Sequence, residues 1–173
     1  MPDLAGPGLK LVFVGINPGL WTAATQTHFA HPGNRFYPAL RLAGIVDRDF
    51  DRAEGMTDED RQYLIARGIG ITNLVNRASI RADELTAAEL RAGRIRLAAF
   101  VREQSPAVVA VAGITAYRTA FSRPKARAGE QTDGLVGARL WVVPNPSGLN
   151  AHETLPTLAE AYAEPARAAG IVG

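Results

Sequence analysis

The chain has 173 residues, of which 47% are hydrophobic and 21% charged, a composition ordinary for one soluble domain with a sizeable core. It contains no cysteine, which excludes disulfides, a thiol nucleophile and a zinc site or iron–sulfur cluster held by cysteine. No apolar run approaches the roughly 18 residues of a membrane span, and residues 1–10 lack a signal-peptide pattern, so we expect a cytoplasmic protein.

The net charge of +2 is unevenly distributed along the chain. Residues 77–127 hold ten basic and four acidic residues, a net charge of +6, whereas residues 1–76 sum to −1 and residues 128–173 to −3. A local basic excess suits a polyanionic partner, although a solvated helix face has the same composition. The candidate phosphate contacts of this region are Arg77, Arg81, Arg123, Lys125 and Arg127.

The first predicted strand, residues 10–14, ends in the turn Gly15-Ile16-Asn17-Pro18-Gly19. The residue before a proline favours extended backbone, and glycine tolerates the positive φ of a sharp turn. The turn therefore presents Asn17 and backbone N–H groups at the carboxyl end of a strand, where open α/β sheets bind ligands. It matches neither a dinucleotide-binding nor a phosphate-loop motif, and a tight connection without chemistry has the same pattern.

Two helices and a strand are predicted next. Residues 34–43 favour a helix, in which Pro38 either lies in the first turn or causes a kink. Thr57 begins a second helix that reaches about residue 67. The second strand covers residues 70–74. The connection over residues 75–85 is long for a compact domain, which is typical of functional loops.

The second half of the chain continues the alternation. Thr86 and Glu89 form a capping box that begins a long helix, and residues 107–113 favour a strand buried on both faces. A short helix over 114–121, a polar loop over 123–137 and a fourth strand over 139–143 follow, and Pro165 interrupts the last helix. This pattern predicts a single α/β domain over residues 1–173, a three-layer α/β/α sandwich around a central, mainly parallel four-stranded sheet.

The fourth strand ends in a turn, Asn145-Pro146-Ser147-Gly148-Leu149, that is similar to the first. Because parallel strands end at the same edge of a sheet, we expect both turns to face one crevice. Residues 27–37, between the two turns in sequence, are unusually rich in aromatic and polar side chains for a loop.

Three motifs, in this order, resemble the mismatch-specific uracil-DNA glycosylases, the bacterial relatives of thymine-DNA glycosylase within the uracil-DNA glycosylase superfamily. They are Gly15-Ile16-Asn17-Pro18-Gly19, then Phe29-Ala30-His31-Pro32 with Asn34-Arg35-Phe36, then Asn145-Pro146-Ser147-Gly148-Leu149. The resemblance extends from about Leu9 to the last helix. It implies a monofunctional DNA repair glycosylase that flips uracil, or thymine or ethenocytosine, out of G·U- or G·T-type mismatches and leaves an abasic site.

The resemblance also implies partners and residue roles. The partner is double-stranded DNA with a mismatched or damaged pyrimidine, bound by a nucleoid-associated monomer without metal or cofactor. Asn17 positions the attacking water, and Asn145 offers a neutral donor to the base. The extruded uracil stacks on Phe29 and contacts the backbone of Ile16. Trp21-Thr22 departs from the small, serine-type pair of the family, and a Thr22 near the uracil C5 position leaves open whether the usual discrimination against thymine holds. Because an amide holds water but takes no proton near neutral pH, Asn17 predicts slow chemistry.

The DNA contacts that the resemblance implies lie in the second turn. Leu149 matches the apolar wedge that fills the space left by the extruded base. Gly148 and nearby groups, including Ser147, contact the DNA beside the unpaired guanine. Arg77 and Arg123 are our main candidates for phosphate contacts.

Several residues depart from the family pattern or leave alternatives open. Asn73 stands where a lysine is common, and Asp83 in the following loop could supply the carboxylate that Asn17 lacks, although Asp83 also suits the start of the next helix. His28 and His31 lack a third ligand, so no metal site is predicted. A catalytically weak mismatch or abasic-site binding protein remains an alternative, as does a small-nucleotide hydrolase.

Overall fold

A five-stranded sheet organises the computed structural model, which describes residues 1–173. The strands are β1 (Leu11–Gly15), β2 (Ile69–Asn73), β3 (Val108–Ala112), β4 (Gly129–Glu130) and β5 (Arg139–Val143). The helices are α1 (Leu20–Thr25), α2 (Phe36–Leu42), α3 (Asp58–Ala66), α4 (Ala87–Gln104), α5 (Ile114–Ala120) and α6 (Leu155–Ala168), with one 3₁₀ turn at Ala82–Glu84. The strand order is β2-β1-β3-β5-β4.

Four of the strands are parallel, as the sequence predicts. In β1, Leu11 pairs with Ile69 of β2 and with Val108 of β3, and β3 pairs in turn with β5. The prediction of four strands was one short, because β4 lies within the expected loop at 123–137 and pairs antiparallel with β5 at the sheet edge. A strand of two residues is too short to show the alternation by which strands are recognised in sequence.

The sheet is buried on both faces, which confirms the three-layer α/β/α sandwich. Because successive side chains of a strand point to opposite faces, Leu11 and Phe13 enter one core while Val12 and Val14 enter the other. The first core packs against α2, α3 and α6, and the second against α4 and α5. The carboxyl edge of the sheet is left to turns and loops.

The helix termini follow local sequence signals closely. Thr57 and Thr86 each cap a helix in a reciprocal capping box. Pro38 is the third residue of α2, so of the two predicted alternatives it takes the first turn. The expectation that Pro165 interrupts the last helix was wrong. Pro165 lies in the final turn of α6, where its missing N–H leaves only the Ala161 carbonyl without a helical partner. No helix combines the length and the apolarity needed to cross a bilayer.

Candidate functional site

A cavity of about 710 Å³ opens at the carboxyl edge of the sheet. Its wall comes from the first Asn-Pro turn with α1, from residues 28–34, from the end of β2 with its following loop, and from the second Asn-Pro turn. Six residues that the sequence proposed for the site line it: Asn17, Thr22, Phe29, Ser147, Gly148 and Leu149. Residues separated by more than 130 positions in the chain therefore share one concave surface.

The Asn17 side chain is held in one orientation by the loop that follows β2. Its Nδ2 donates to the Arg77 carbonyl oxygen at 2.9 Å and to Ser79 Oγ at 2.7 Å. Its Oδ1 accepts no hydrogen bond from the protein and is not sealed from solvent. Asn17 can therefore accept a hydrogen bond from a water molecule in the cavity.

Phe29 provides a flat, partly exposed aromatic surface in the cavity wall. Its ring stacks on Phe36, with centroids 4.1 Å apart and an interplanar angle of 27°. Its φ of 55° is uncommon for a bulky residue, so the neighbouring contacts must hold this backbone in place. On one side Tyr37 Oη donates to the His28 carbonyl at 2.8 Å, and on the other the Ala30 N–H donates to the buried Thr22 hydroxyl at 3.4 Å.

Gly15 shows how closely the cavity floor is packed. A Cβ atom built on it would lie 2.6 Å from Asn73 Oδ1 and 3.3 Å from the Phe29 ring. No other residue fits there without displacing one of these groups. The Asn73 amide and the Phe29 ring thus meet above the end of β1.

Asn73 and His28 form a buried polar pair that the sequence analysis did not assign to the site. His28 Nε2 lies 3.0 Å from the Pro2 carbonyl oxygen, which only accepts, so this nitrogen carries the proton. Burial lowers the pKa of His28 to about 4, so the ring is neutral near pH 7. Nδ1 is then an acceptor, and Asn73 Nδ2 donates to it across a long 3.4 Å contact.

This arrangement leaves the side-chain oxygen of Asn73, Oδ1, without a hydrogen bond from the protein, and Asn73 lines the cavity. A primary amide can both accept from and donate to the polar edge of a pyrimidine. The one sequence signal for Asn73 was its position at a strand end. The pairing with His28, 45 residues away, left no local pattern.

The second Asn-Pro turn is arranged differently from the first. Asn145 Oδ1 accepts a hydrogen bond from the Ser147 N–H at 2.9 Å, and its side chain does not line the cavity. Ile16 also lies outside the lining, and its carbonyl oxygen accepts from the Val75 N–H at 3.0 Å. The roles of Asn145 and Ile16 in base binding stay predictions.

Leu149 projects from the second turn with 89% of its surface exposed. Its N–H donates to Ser147 Oγ at 3.2 Å. A Cβ atom on Gly148 would come within 2.7 Å of the Gly33 carbonyl oxygen, so the turn is packed directly against the loop that carries Phe29. An apolar side chain this exposed at a cavity mouth is available to contact a ligand.

Arg35 fastens the second turn to the body of the protein. Its guanidinium donates to the carbonyl oxygens of Glu153 at 2.6 Å, Ser147 at 3.0 Å and Asn150 at 2.9 Å. Its backbone N–H donates to the Pro146 carbonyl at 3.0 Å. The sequence identified the motif that contains Arg35 but not this function.

Asp83 does not reach the crevice, contrary to the expectation from its position in the loop. It is 64% exposed on the 3₁₀ turn and forms an ion pair with Arg81 at 2.6 Å, while Arg81 itself lines the cavity. Asp83 itself is not among the residues that line the cavity. A role for Asp83 in the reaction stays a prediction.

The candidate phosphate contacts have different environments. The Arg77 guanidinium is engaged by Glu89 at 2.9 and 3.1 Å, and these hydrogen bonds lower the pKa of Glu89 to about 2. Arg123 forms an ion pair with Asp133. Lys125 and Arg127 are exposed and form no ion pair. None of these placements tests a DNA contact.

No cluster of three or more histidine, aspartate or glutamate side chains in the structure could hold a metal ion. The cavity lining contains no carboxylate, and its polar groups are amides, hydroxyls, two histidines and Arg81.

Comparison with known proteins places this chain in a family. Residues 2–166 match the family described as the uracil DNA glycosylase superfamily. The fold is similar to the solution NMR structure of a candidate uracil DNA glycosylase from Methanosarcina acetivorans, with a TM-score of 0.59, over 96% of this chain and 95% of that one. The two sequences are 14% identical, so this likeness concerns the fold alone. Because the family match covers nearly the whole chain, the protein belongs to the uracil DNA glycosylase superfamily.

Proposed function

We propose that the protein is a monofunctional DNA glycosylase that excises uracil from G·U mismatches in double-stranded DNA. Membership of the superfamily supports a glycosylase acting on uracil in DNA repair. The observation that carries the finer proposal is the shared cavity, in which an oriented amide, an aromatic face and an exposed leucine lie together. The three motifs that resemble the mismatch-specific enzymes supply these groups.

Base binding in this proposal uses Phe29 and Asn73. A base inside a duplex must be extruded before its sugar bond can be attacked, at a cost of a few kcal/mol. Stacking on the Phe29 ring offsets part of that cost, and the Asn73 amide offers complementary groups to the uracil edge. Leu149 occupies the space left in the stack and so keeps the base outside.

The reaction is a hydrolysis at the sugar carbon C1′. The bond from C1′ to the uracil N1 breaks, and its electron pair leaves with the base as an anion. A water oxygen then bonds to the cationic sugar, and the proton that this water loses passes to the uracil anion or to solvent. Asn17 Oδ1 holds that water by accepting a hydrogen bond from it. The amide does not remove a proton from the water near neutral pH. Because no carboxylate lines the cavity, we expect slow chemistry.

Thymine and ethenocytosine are secondary substrates in this proposal. The Thr22 hydroxyl accepts from the Ala30 N–H, and Thr22 lines the cavity. In this proposal Thr22 lies beside the C5 position of the extruded base. We therefore expect uracil to be excised faster than thymine. The enzyme would act as a monomer in the cytoplasm and would need no cofactor.

The proposal is tested by incubating the protein in excess over labelled duplexes with G·U, G·T, A·U or G·C at one position, then cleaving abasic sites with alkali. Strand breaks at the uracil of the G·U duplex are expected, with fewer at thymine and none at G·C. The Asn17→Ala variant, purified in the same way, is the control. Strand breaks that disappear in this variant come from the protein itself and not from a contaminating enzyme.

One observation favours a second function, a catalytically weak protein that binds mismatches or abasic sites. The absence of a carboxylate from the cavity removes the group that could assist the chemistry most directly. Tight binding of the G·U or abasic duplex without alkali-sensitive breaks would establish this alternative and refute the glycosylase.

A further inference from the structure

We infer that Ser79 is a positioning residue whose hydroxyl fixes the Asn17 amide with its carbonyl oxygen, rather than its NH₂ group, toward the attacking water. The inference rests on the proposed function of the cavity and adds a residue that the family motifs do not contain. Ser79 lies in the loop between β2 and α4 and is only 6% exposed.

The Ser79 hydroxyl has one hydrogen, and this hydrogen is already committed. Ser79 Oγ donates to the Arg81 carbonyl oxygen at 2.7 Å, and a carbonyl oxygen only accepts. Toward Asn17, at 2.7 Å, Ser79 Oγ therefore presents a lone pair. The backbone of Ser79 is also tied to the first turn, because its N–H donates to the Pro18 carbonyl at 3.2 Å.

The second group at this end of the amide is also an acceptor. The Arg77 carbonyl oxygen lies 2.9 Å from Asn17 Nδ2 and has no hydrogen to give. With the amide turned over, Asn17 Oδ1 would face two acceptors and both NH₂ hydrogen bonds would be lost. The donor and acceptor inventory of Arg77 and Ser79 thus determines which end of the amide faces the cavity.

This loop is anchored at more than one point. The Arg77 guanidinium is bound to Glu89 in the first turn of α4 and to the Glu84 carbonyl at 3.1 Å. The frame that holds Asn17 is therefore attached both to α4 and to the turn after β1.

The orientation matters for the chemical step. A water molecule that donates to Oδ1 keeps its oxygen lone pairs for attack on C1′. An NH₂ group in the same place would donate to one of those lone pairs and reduce the nucleophilicity of the water. Turning the amide over would slow the addition of water to C1′, and with it the formation of products, while leaving the stacking surface and Leu149 unchanged.

The test compares Ser79→Ala, which removes the acceptor, with Ser79→Thr, which keeps a hydroxyl. Single-turnover excision of uracil from a G·U duplex should fall about tenfold in Ser79→Ala and stay within about twofold in Ser79→Thr. Affinity for a duplex with a stable abasic analogue should be unchanged in both. In the Asn17→Ala background, Ser79→Ala should cause no further loss, because the two residues act as one unit.

A spectroscopic measurement makes the test independent of turnover. The side-chain NH₂ signals of Asn17, assigned by their absence in Asn17→Ala, should exchange slowly with solvent, and Ser79→Ala should accelerate that exchange. The inference is overturned by unchanged exchange, by a rate loss that persists in the Asn17→Ala background, or by equal losses in the alanine and threonine variants. If the wild-type protein releases no uracil, the proposed function fails and the amide spectrum still decides the role of Ser79.

Discussion

The Asn17-Pro18 turn and the Asn145-Pro146 turn follow β1 and β5, which lie on either side of β3 in the sheet. The Asn17 amide reaches across 60 residues of sequence to the loop after β2 and leaves its oxygen free in the cavity. The Asn145 amide instead turns back to the Ser147 N–H, two residues along its own loop. One asparagine presents its side-chain oxygen to the cavity, and the other closes a local turn.

The two Asn-Pro dipeptides therefore place their asparagine side chains in different hydrogen-bonding environments. The loop after β2 supplies acceptors that orient Asn17, whereas the Asn145 side chain forms its hydrogen bond within its own turn. The second turn gains its rigidity from Arg35, which donates to three carbonyl oxygens around it. We therefore expect changes in the first turn to affect the reaction rate and changes in the second to affect the hold on DNA.

Asn17→Ala should produce the largest effect. Without the oxygen that holds the water, single-turnover excision of uracil should fall on the order of a hundredfold or more, while affinity for abasic-analogue DNA stays the same. Parallel kinetics and fluorescence anisotropy would measure the two quantities. A variant that kept the wild-type rate would show that the two turns do not differ in the way described.

Buried His28, on the side of the first turn, should make stability depend on pH. Burial lowers its folded pKa from 6.5 to about 4, so between these values the unfolded state binds the proton more readily. The contribution to the free energy of unfolding is fully present above pH 6.5 and should decrease by up to about 3 kcal/mol as the pH falls toward 4. Urea unfolding at several pH values should show that the free energy of unfolding depends less steeply on pH in His28→Gln than in the wild type. The same pH dependence in both proteins would contradict the lowered pKa of His28.

Leu149→Ala tests the exposed side chain of the second turn. Because this leucine is almost fully exposed, its removal should leave the melting temperature unchanged. Without an apolar group to fill the stack, excision and binding of the abasic analogue should each weaken about tenfold. Leu149→Met is the matched control that keeps an apolar wedge, and equal losses in the two variants would argue against wedging.

Asn145→Ala should have a smaller effect than either change above. Loss of the hydrogen bond to the Ser147 N–H should destabilise the turn by about 1 kcal/mol and weaken DNA binding a few-fold, with little change in the cleavage rate of bound substrate. A saturating single-turnover assay separates the two effects. A rate loss as large as that of Asn17→Ala would give Asn145 a direct part in the chemistry.

Asp83→Asn should have the smallest effect. The Asp83 carboxylate is exposed, forms an ion pair with Arg81 and is not part of the cavity lining. Excision should therefore stay within about twofold of wild type. Excision rates across pH 6 to 8 would measure this. A large, pH-dependent loss would show that the loop moves to bring the carboxylate to the substrate.

Much of the fold was predictable because its signals are local. Capping boxes at Thr57 and Thr86 lie within one helical turn, and the apolar run of β3 reports its burial directly. The location of both Asn-Pro turns at the carboxyl edge of the sheet could be predicted, because alternating strands and helices indicate parallel strands. Strand β4 was missed because its pairing with β5 is its only distinguishing feature.

The site was predictable only in part. Asn17, Phe29 and Leu149 could be proposed because each belongs to a motif that is continuous in the sequence, and the cavity brings them together. The placement of Asp83 could not be predicted, since it depends on the ion pair that its carboxylate forms with Arg81 in the folded loop. The Asn73–His28 pair could not be predicted either, since its members come from separate segments.

The sequence by itself determined the order of elements, the helix caps and the two turns, because these depend on side-chain periodicity and on hydrogen bonds between residues a few positions apart. Only the tertiary structure decided which end of the Asn17 amide faces the cavity. That choice depends on the acceptors of Arg77 and Ser79, which chain folding brings within hydrogen-bonding distance from 60 and 62 positions away.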